Sequence, residues 1–391
     1  MNPIQMVDLK RQYHKLKTEI DSALINVLES TAFINGKPVQ DFANNLSAYL
    51  GVKHVIPCAN GTDAVQIALM ALGLEPGDEV ITPSFTFIAT TEVIALLRLT
   101  PVFVDVDPKT FCLDPRLVEK AVTTRTKAIV PVHLYGQTAP MNEIMQIARK
   151  HNLYVIEDNA QSIGSDYLFP DGTKKKSGTI GTIGTTSFFP AKNLGAYGDG
   201  GAIFTNDDEL ANKIKMIANH GQSKQYYHDI VGCNSRLDTM QAAILNIKLS
   251  HLDEYIRERK RVADFYDKAF SFESLGAESK GITTPFRASY SDHVFHQYTI
   301  LVEPGEDNSV SRDALKDYLA KNNIPSMIYY PVPSHRQKMF AGLEHSSVNL
   351  PVSEWLGKRV LSLPIHTEMT QEQLEFITSK ILEFHLKPQT I

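Results

Sequence analysis

The chain has 391 residues, 43% of them apolar and 21% charged, a balance that excludes disorder and supplies a sizeable core, while the length points to two domains. A formal net charge of −5 excludes the general basic field that nucleic acid or an anionic membrane surface requires, so a phosphate-bearing ligand has to be held by a local site. The three cysteines, Cys58, Cys112 and Cys233, are scattered and odd in number, which excludes a disulfide framework or a metal cluster and fits a reducing cytoplasm.

The amino-terminal run MNPIQMVDLKRQY lacks the apolar core of a signal peptide. The most apolar region, residues 87–106, is interrupted by Glu92, Arg98, Pro101 and Asp105, so no membrane span is expected. Residues 63–72 place Ala64, Ile67, Ala68, Ala71 and Leu72 at helical spacing. The turn Glu75-Pro76-Gly77-Asp78 ends that helix, and residues 79–82 read as a strand. Further strands are expected at 101–106, 127–135, 153–156, 185–189 and 202–205, with a helix at 141–151. Lys174-Lys175-Lys176 reads as a solvated loop face.

Strands alternating with helices predict an α/β fold with a largely parallel sheet covered on both faces. Ligands gather at the carboxyl ends of such strands, where Thr86, Phe87, His133, Asp158 and Ser187 fall. Residues 240–269 read as one long helix, with Met240, Ala243, Ile244 and Ile247 on one side. The pattern then changes: a strand at 297–302, a helix at 311–322 with Ser311 as N-cap, and a last helix at 370–384. The expected division is a large domain, 1–254, and a smaller α/β domain, 255–391.

The chemistry centres on Ser187-Phe188-Phe189-Pro190-Ala191-Lys192-Asn193-Leu194-Gly195. A lysine just after a strand, in a turn, is what pyridoxal phosphate (PLP) chemistry uses to hold the cofactor aldehyde and carry a proton. On its own such a lysine is most often a surface residue. Asp158 follows an apolar strand, and a carboxylate at that edge would keep the cofactor ring nitrogen protonated. Glu157 competes for the role, and because neighbours on a strand face opposite ways only one of the two can face the cofactor. Asn60-Gly61-Thr62-Asp63 precedes a helix, so Gly61 and Thr62 at its start, with Ser187 nearby, suit a phosphate; an ordinary N-cap explains the same residues. Phe87 suits a ring-stacking partner or a core position. Gln161 suits a hydrogen bond to the ring hydroxyl or a solvated loop. His133 and His366 read as packed residues that could also line the site.

These stretches together resemble the DegT/DnrJ/StrS family of PLP-dependent sugar aminotransferases. The resemblance runs through Asn60-Gly61-Thr62-Asp63-Ala64, Pro131-Val132-His133-Leu134-Tyr135-Gly136, Ile156-Glu157-Asp158-Asn159-Ala160-Gln161, the Lys192 segment, Gly198-Asp199-Gly200-Gly201-Ala202, Asn234-Ser235-Arg236-Leu237-Asp238 and Leu361-Ser362-Leu363-Pro364-Ile365-His366. It implies the aspartate aminotransferase-like architecture, PLP fold type I. It implies covalent attachment of the cofactor at Lys192, ring contacts from Asp158, Gln161 and Phe87, and phosphate contacts from Gly61, Thr62 and Ser187. Asn234 is implied to reach the neighbouring subunit's site in a homodimer, and Tyr330 to line the sugar pocket. Alanine is usual where Asn159 stands, and a packing difference without loss of activity is expected there. Lys192 speaks against the family's dehydratases, which carry histidine at that position.

Within the family the chain looks most like aminotransferases acting on UDP-2-acetamido-2-deoxy-3-oxo-glucuronate, which use L-glutamate and feed lipopolysaccharide O-antigen synthesis. Arg236 is the candidate for the uronate carboxylate, although relatives with neutral sugars carry the same arginine. Rival expectations are a dTDP-3-keto-6-deoxyhexose or 4-keto sugar substrate, a different PLP reaction such as thioether cleavage, and a regulatory or nucleotide-sugar-binding protein without catalysis.

Overall fold

A computed structural model describes residues 2–271, 281–305, 311–343 and 348–386. Seven strands form its central sheet: β1 (His54–Cys58), β2 (Glu79–Pro83), β3 (Thr100–Val104), β4 (Thr126–Ile129), β5 (Tyr154–Asp158), β8 (Ile183–Ser187) and β9 (Gly201–Thr205), in the order β1-β9-β8-β5-β4-β2-β3. Only β9 runs against its sheet neighbours; the remaining pairs are parallel.

The period of two along each strand distributes the apolar residues to both faces. Val80, Ala128, Ile156 and Ile203 pack beneath α3 (Gly61–Leu72), α4 (Ala89–Leu96) and α7 (Asp208–Ala218). On the opposite face Ile81, Ile129 and Val155 meet Met141, Ile144 and Ile147 of α6 (Met141–His151). Also on that face, Ala202 and Phe204 join Phe42 and Leu46 of α2 (Lys37–Leu50) and Leu245 of α8 (Thr239–Ser250). Each of the larger side chains among them contributes about 1.5–3 kcal/mol on full burial, which explains why the strands read as continuous apolar runs. Two more helices complete this part, α1 (Leu9–Ser30) and α5 (Pro115–Ala121).

Three expectations change. Residues 127–135 are not one strand: β4 stops at Ile129, and the chain turns through a 3-10 segment, Leu134–Gly136, in which Tyr135 is left-handed at φ 58°. Lys174-Lys175-Lys176 is a strand, β7 (Lys174–Lys176), paired with β6 (Asp166–Leu168) in a hairpin. Lys176 there donates to Gly164 O and pairs with Asp166. The long helix is two, broken at His251 (φ −101°, ψ 0°), where α9 (Leu252–Ala269) begins. The break lets α8 lie against α1 and α2 while α9 leads away.

α9 belongs to two cores. Leu252 and Ile256 pack with the large sheet's helices, whereas Val262, Ala263 and Tyr266 pack with the carboxyl-terminal part. That part holds β12 (Ile282–Thr283), β13 (Tyr298–Val302) and β14 (Val360–Leu363) in one antiparallel sheet. Its helices are α10 (Arg312–Lys321), α11 (Pro351–Gly357) and α12 (Gln371–Leu386). Ile4 joins this core, and the Gln373 amide donates to the carbonyls of Asn2 and Pro3. A second short hairpin, β10 (Gln222–Lys224) and β11 (Tyr227–His228), precedes Asn234. No described helix is long and apolar enough to cross a membrane.

Candidate active site

The carboxyl ends of β1, β2, β5 and β8 converge on one edge of the sheet. Asp158, the last residue of β5, is buried there. Its Oδ2 accepts from Thr90 Oγ1 at 2.6 Å and its Oδ1 from the Ala160 N–H at 3.1 Å. Glu157 faces the other way, as strand alternation requires. It accepts from the backbone N–H groups of Gly178, Ile180 and Gly181 and from His133 Nε2 at 2.8 Å. His133 Nδ1 accepts from the Ala139 N–H, which fixes its proton on Nε2, so both ring nitrogens serve structure. Asn159 also points away: its Nδ2 donates to Ser177 O at 3.1 Å. It changes packing without touching the Asp158 carboxylate.

After β8 the chain folds back on itself. The Lys192 N–H donates to Phe189 O and the Ala196 N–H to Phe188 O, both at 2.8 Å. A Cβ on Gly195 would lie 2.2 Å from Pro190 O, so only glycine permits the closure. The loop brings Lys192 into the field of Asp158. Burial pushes the Lys192 ammonium down from its ordinary 10.5 to about 8, and the Asp158 charge opposes that shift. The side chain keeps some exposure, and among the described residues its Nζ has no hydrogen-bond partner.

The start of α3 lies against the end of β8. A Cβ on Gly61 would come within 2.6 Å of Ser187 Cβ, so the absence of a side chain lets the free N–H groups of the first helical turn and the Ser187 hydroxyl share one small space. Asn60 caps the turn through the Asp63 N–H at 2.8 Å, leaving the Gly61 and Thr62 N–H groups outside the helical ladder.

Gln161 is held at both ends of its amide. Its Oε1 accepts from the Tyr135 N–H at 2.7 Å, and its Nε2 donates to Tyr330 Oη at 3.1 Å. The Tyr330 ring lies 6.0 Å from that of Phe87. Phe87 is 53% exposed, an open aromatic face in an otherwise buried wall.

The geometry thus joins Lys192, Asp158 and Thr90 in one group, Gly61, Thr62 and Ser187 in a second, and Gln161, Tyr330 and Phe87 in a third. Asn234 and Arg236 stay outside these contacts. Asn234 is exposed, and its backbone bridges to Asn219. Among the described residues Arg236 has no carboxylate within ion-pair distance. His366 is buried, and its Nδ1 accepts from the Glu368 N–H. Burial pushes it down to about 3, with Arg259 pushing the same way; it touches none of the three groups.

Sequence reasoning missed Thr90 and Tyr135. Thr90 stands three residues beyond Phe87, in the first turn of α4. Tyr135 acts through its backbone, which no residue type announces.

The site suits a phosphorylated aromatic aldehyde: a desolvated amine, a buried carboxylate without a basic side chain bonded to it, an uncovered aromatic face, and a helix start backed by a hydroxyl. Among the described residues no group of three or more metal-binding side chains is gathered. Residues 14–382 match the DegT/DnrJ/EryC1/StrS aminotransferase family. The chain belongs to that family.

This aminotransferase is therefore a PLP-dependent sugar transaminase of fold type I. It is 48% identical over 98% of both chains to a pleiotropic regulatory protein of Geobacillus stearothermophilus. It is 44% identical to the UDP-2-acetamido-2-deoxy-3-oxo-D-glucuronate aminotransferase of Pseudomonas aeruginosa, covering 97% of this chain and 99% of that one. Aminotransferases for other nucleotide sugars are similarly close. The crystal structure of DesV from S. venezuelae in complex with a ketimine intermediate superposes with a TM-score of 0.91 at 37% identity, over 99% of this chain and 100% of that one.

Proposed function

We propose that this aminotransferase moves an amino group from L-glutamate to UDP-2-acetamido-2-deoxy-3-oxo-glucuronate, in the cytoplasm, for lipopolysaccharide O-antigen assembly. The observation that carries the transfer chemistry is a desolvated amine, Lys192, in the field of a buried carboxylate, Asp158; the choice of sugar is supported by the 44% identity to the Pseudomonas aeruginosa enzyme. When bound, PLP supplies an aldehyde that condenses with amines and an electron-poor ring that takes up the electrons of a broken C–H bond.

Lys192, its pKa lowered by burial to about 8, would serve as the nucleophile and as the base that takes the proton from the donor's α-carbon. Asp158, oriented by Thr90 and the Ala160 N–H, holds a proton on the ring nitrogen. Gln161 would lie toward the ring hydroxyl, Phe87 would stack on the ring, and Gly61, Thr62 and Ser187 would hold the phosphate. Asn234, exposed and unused within its own chain, serves the partner's phosphate in a homodimer. Tyr330 borders the sugar, and Arg236, free of an internal carboxylate, is matched to the uronate. His366 would meet the substrate only through its Nε2, which has no hydrogen-bond partner among the described residues, because its Nδ1 accepts from the Glu368 N–H.

The test is reverse turnover with 2-oxoglutarate and a panel of amino sugar nucleotides. The UDP-3-amino-uronate should react fastest. Arg236→Ala should slow it on the order of a hundredfold and leave the neutral UDP-3-amino sugar within threefold, as a ratio expected for a contact confined to the carboxylate. Faster reaction of a dTDP-3-amino-6-deoxyhexose or a 4-amino sugar would replace the substrate. A protein that binds nucleotide sugar yet stays colourless in PLP would favour a regulatory role.

A further inference from the structure

A second buried lysine lies behind the first. Lys248 of α8 is 1% exposed. Its Nζ donates to Gly195 O at 2.5 Å and lies 5.1 Å from the centre of the Tyr197 ring. Among the described residues no carboxylate comes within ion-pair distance of it. Burial pushes its ammonium down from 10.5 to about 7, and Arg259 pushes the same way. An amine sunk this deep with one carbonyl and one ring face for company is costly to retain, and methionine would fill the same space.

What the amine grips is informative. Gly195 is the residue whose close approach to Pro190 O shuts the Lys192 loop. Gln241, seven residues earlier on α8, lies two turns away on the same helix face. Its Oε1 accepts from the Tyr197 N–H at 2.8 Å, and a Cβ on Gly198 would stand 2.9 Å from its Nε2. Directly after Lys192, Asn193 Nδ2 donates to Val294 O at 3.1 Å. The chain is therefore pinned at Asn193, Gly195 and Tyr197, immediately beyond a lysine whose own amine is unbonded.

We propose that Lys248, with Gln241 on the same face of α8, is a positioning residue for Lys192, holding the loop so that the Lys192 amine is aimed at the reacting carbon. The inference rests on Lys192 as the cofactor lysine. Two measurements test it in Lys248→Met, Lys248→Arg and Gln241→Leu. One is the rate at which cofactor-free protein captures PLP on Lys192, read by mass after reductive trapping. The other is single-turnover reaction of the loaded enzyme with glutamate, which separates rate constant from half-saturating concentration.

In Lys248→Met with a native melting transition, capture and the glutamate rate constant should each fall on the order of tenfold to a hundredfold, the loss expected for an amine displaced by about 1 Å. The half-saturating glutamate concentration should stay within about threefold, since glutamate's own contacts are intact. Lys248→Arg, which retains a donor, should regain part of the rate. Folded Lys248→Met reacting within about twofold of the native chain overturns the proposal. If that variant does not fold, Gln241→Leu decides on the same split. Failure of the Lys192 assignment has its own signature: Lys192→Ala would still trap the aldehyde at its usual position.

Discussion

Two influences set the chemistry of Lys192, and they act in opposite directions. Burial lowers its pKa to about 8 and Asp158 raises it. Capture of an aldehyde by the cofactor-free protein should therefore climb with pH and level off above about 8. In Asp158→Asn the raising influence is gone, so the midpoint should move to lower pH; mass-detected trapping across a pH series checks both. Thr90 acts one step back, through its 2.6 Å bond to Asp158. A hydrogen bond to a charged group contributes about 1.5–3 kcal/mol. Thr90→Val should slow bleaching of the bound cofactor by glutamate roughly tenfold to a hundredfold, while Thr90→Ser stays within about threefold. Lys192 and Asp158 were legible because their residue types and their places after strands fit one chemistry. Thr90 was not, because a threonine in the first turn of an apolar helix carries no mark of the carboxylate that lies near it only in three dimensions.

Among elements, the start of α3 and the end of β8 carry the clearest consequence. Gly61→Ala would drive a methyl into Ser187, where two pieces of backbone already touch. The expected result is a folded protein that binds PLP at least about tenfold more weakly, measured by equilibrium dialysis. The sequence marked this helix well, because Asn60 and Gly61 are start signals and the apolar spacing continues for three turns. It marked the helix after residue 239 badly. Apolar periodicity runs on across His251, so nothing local reports that α8 and α9 diverge to serve different cores. Lys174-Lys175-Lys176 shows the converse. Charge suggested a loop, yet a short two-stranded hairpin buries little and tolerates a basic strand whose last lysine finds Asp166 and Gly164 O.

At the scale of the molecule, the proposed shared-site homodimer predicts complementation. Neither Lys192→Ala nor Asn234→Ala alone should be fully active. Dissociated, mixed and reassociated at equal amounts, they should regain about a quarter of the native sites, since half of the dimers are mixed and each has one complete site; absence of any gain would confine Asn234 to its own chain. Arg259, buried on α9, donates through Nη1 to the carbonyls of Phe295, His296 and Ile365. Arg259→Met should destabilise the protein by about 2–4 kcal/mol, seen as a lower denaturant midpoint at unchanged slope. The α/β class and the sheet were legible from alternation alone, whereas the shared helix was not, because membership in a core is decided by contacts far along the chain. That helix works as a rigid rod rather than a tether. It starts in one core and ends in the other, and midway it grips the backbone two residues beyond Val294, to which the Lys192 loop is tied. A displacement of the 295–296 backbone would therefore reach the Lys192 loop through a single intervening residue, Val294, whose carbonyl Asn193 holds.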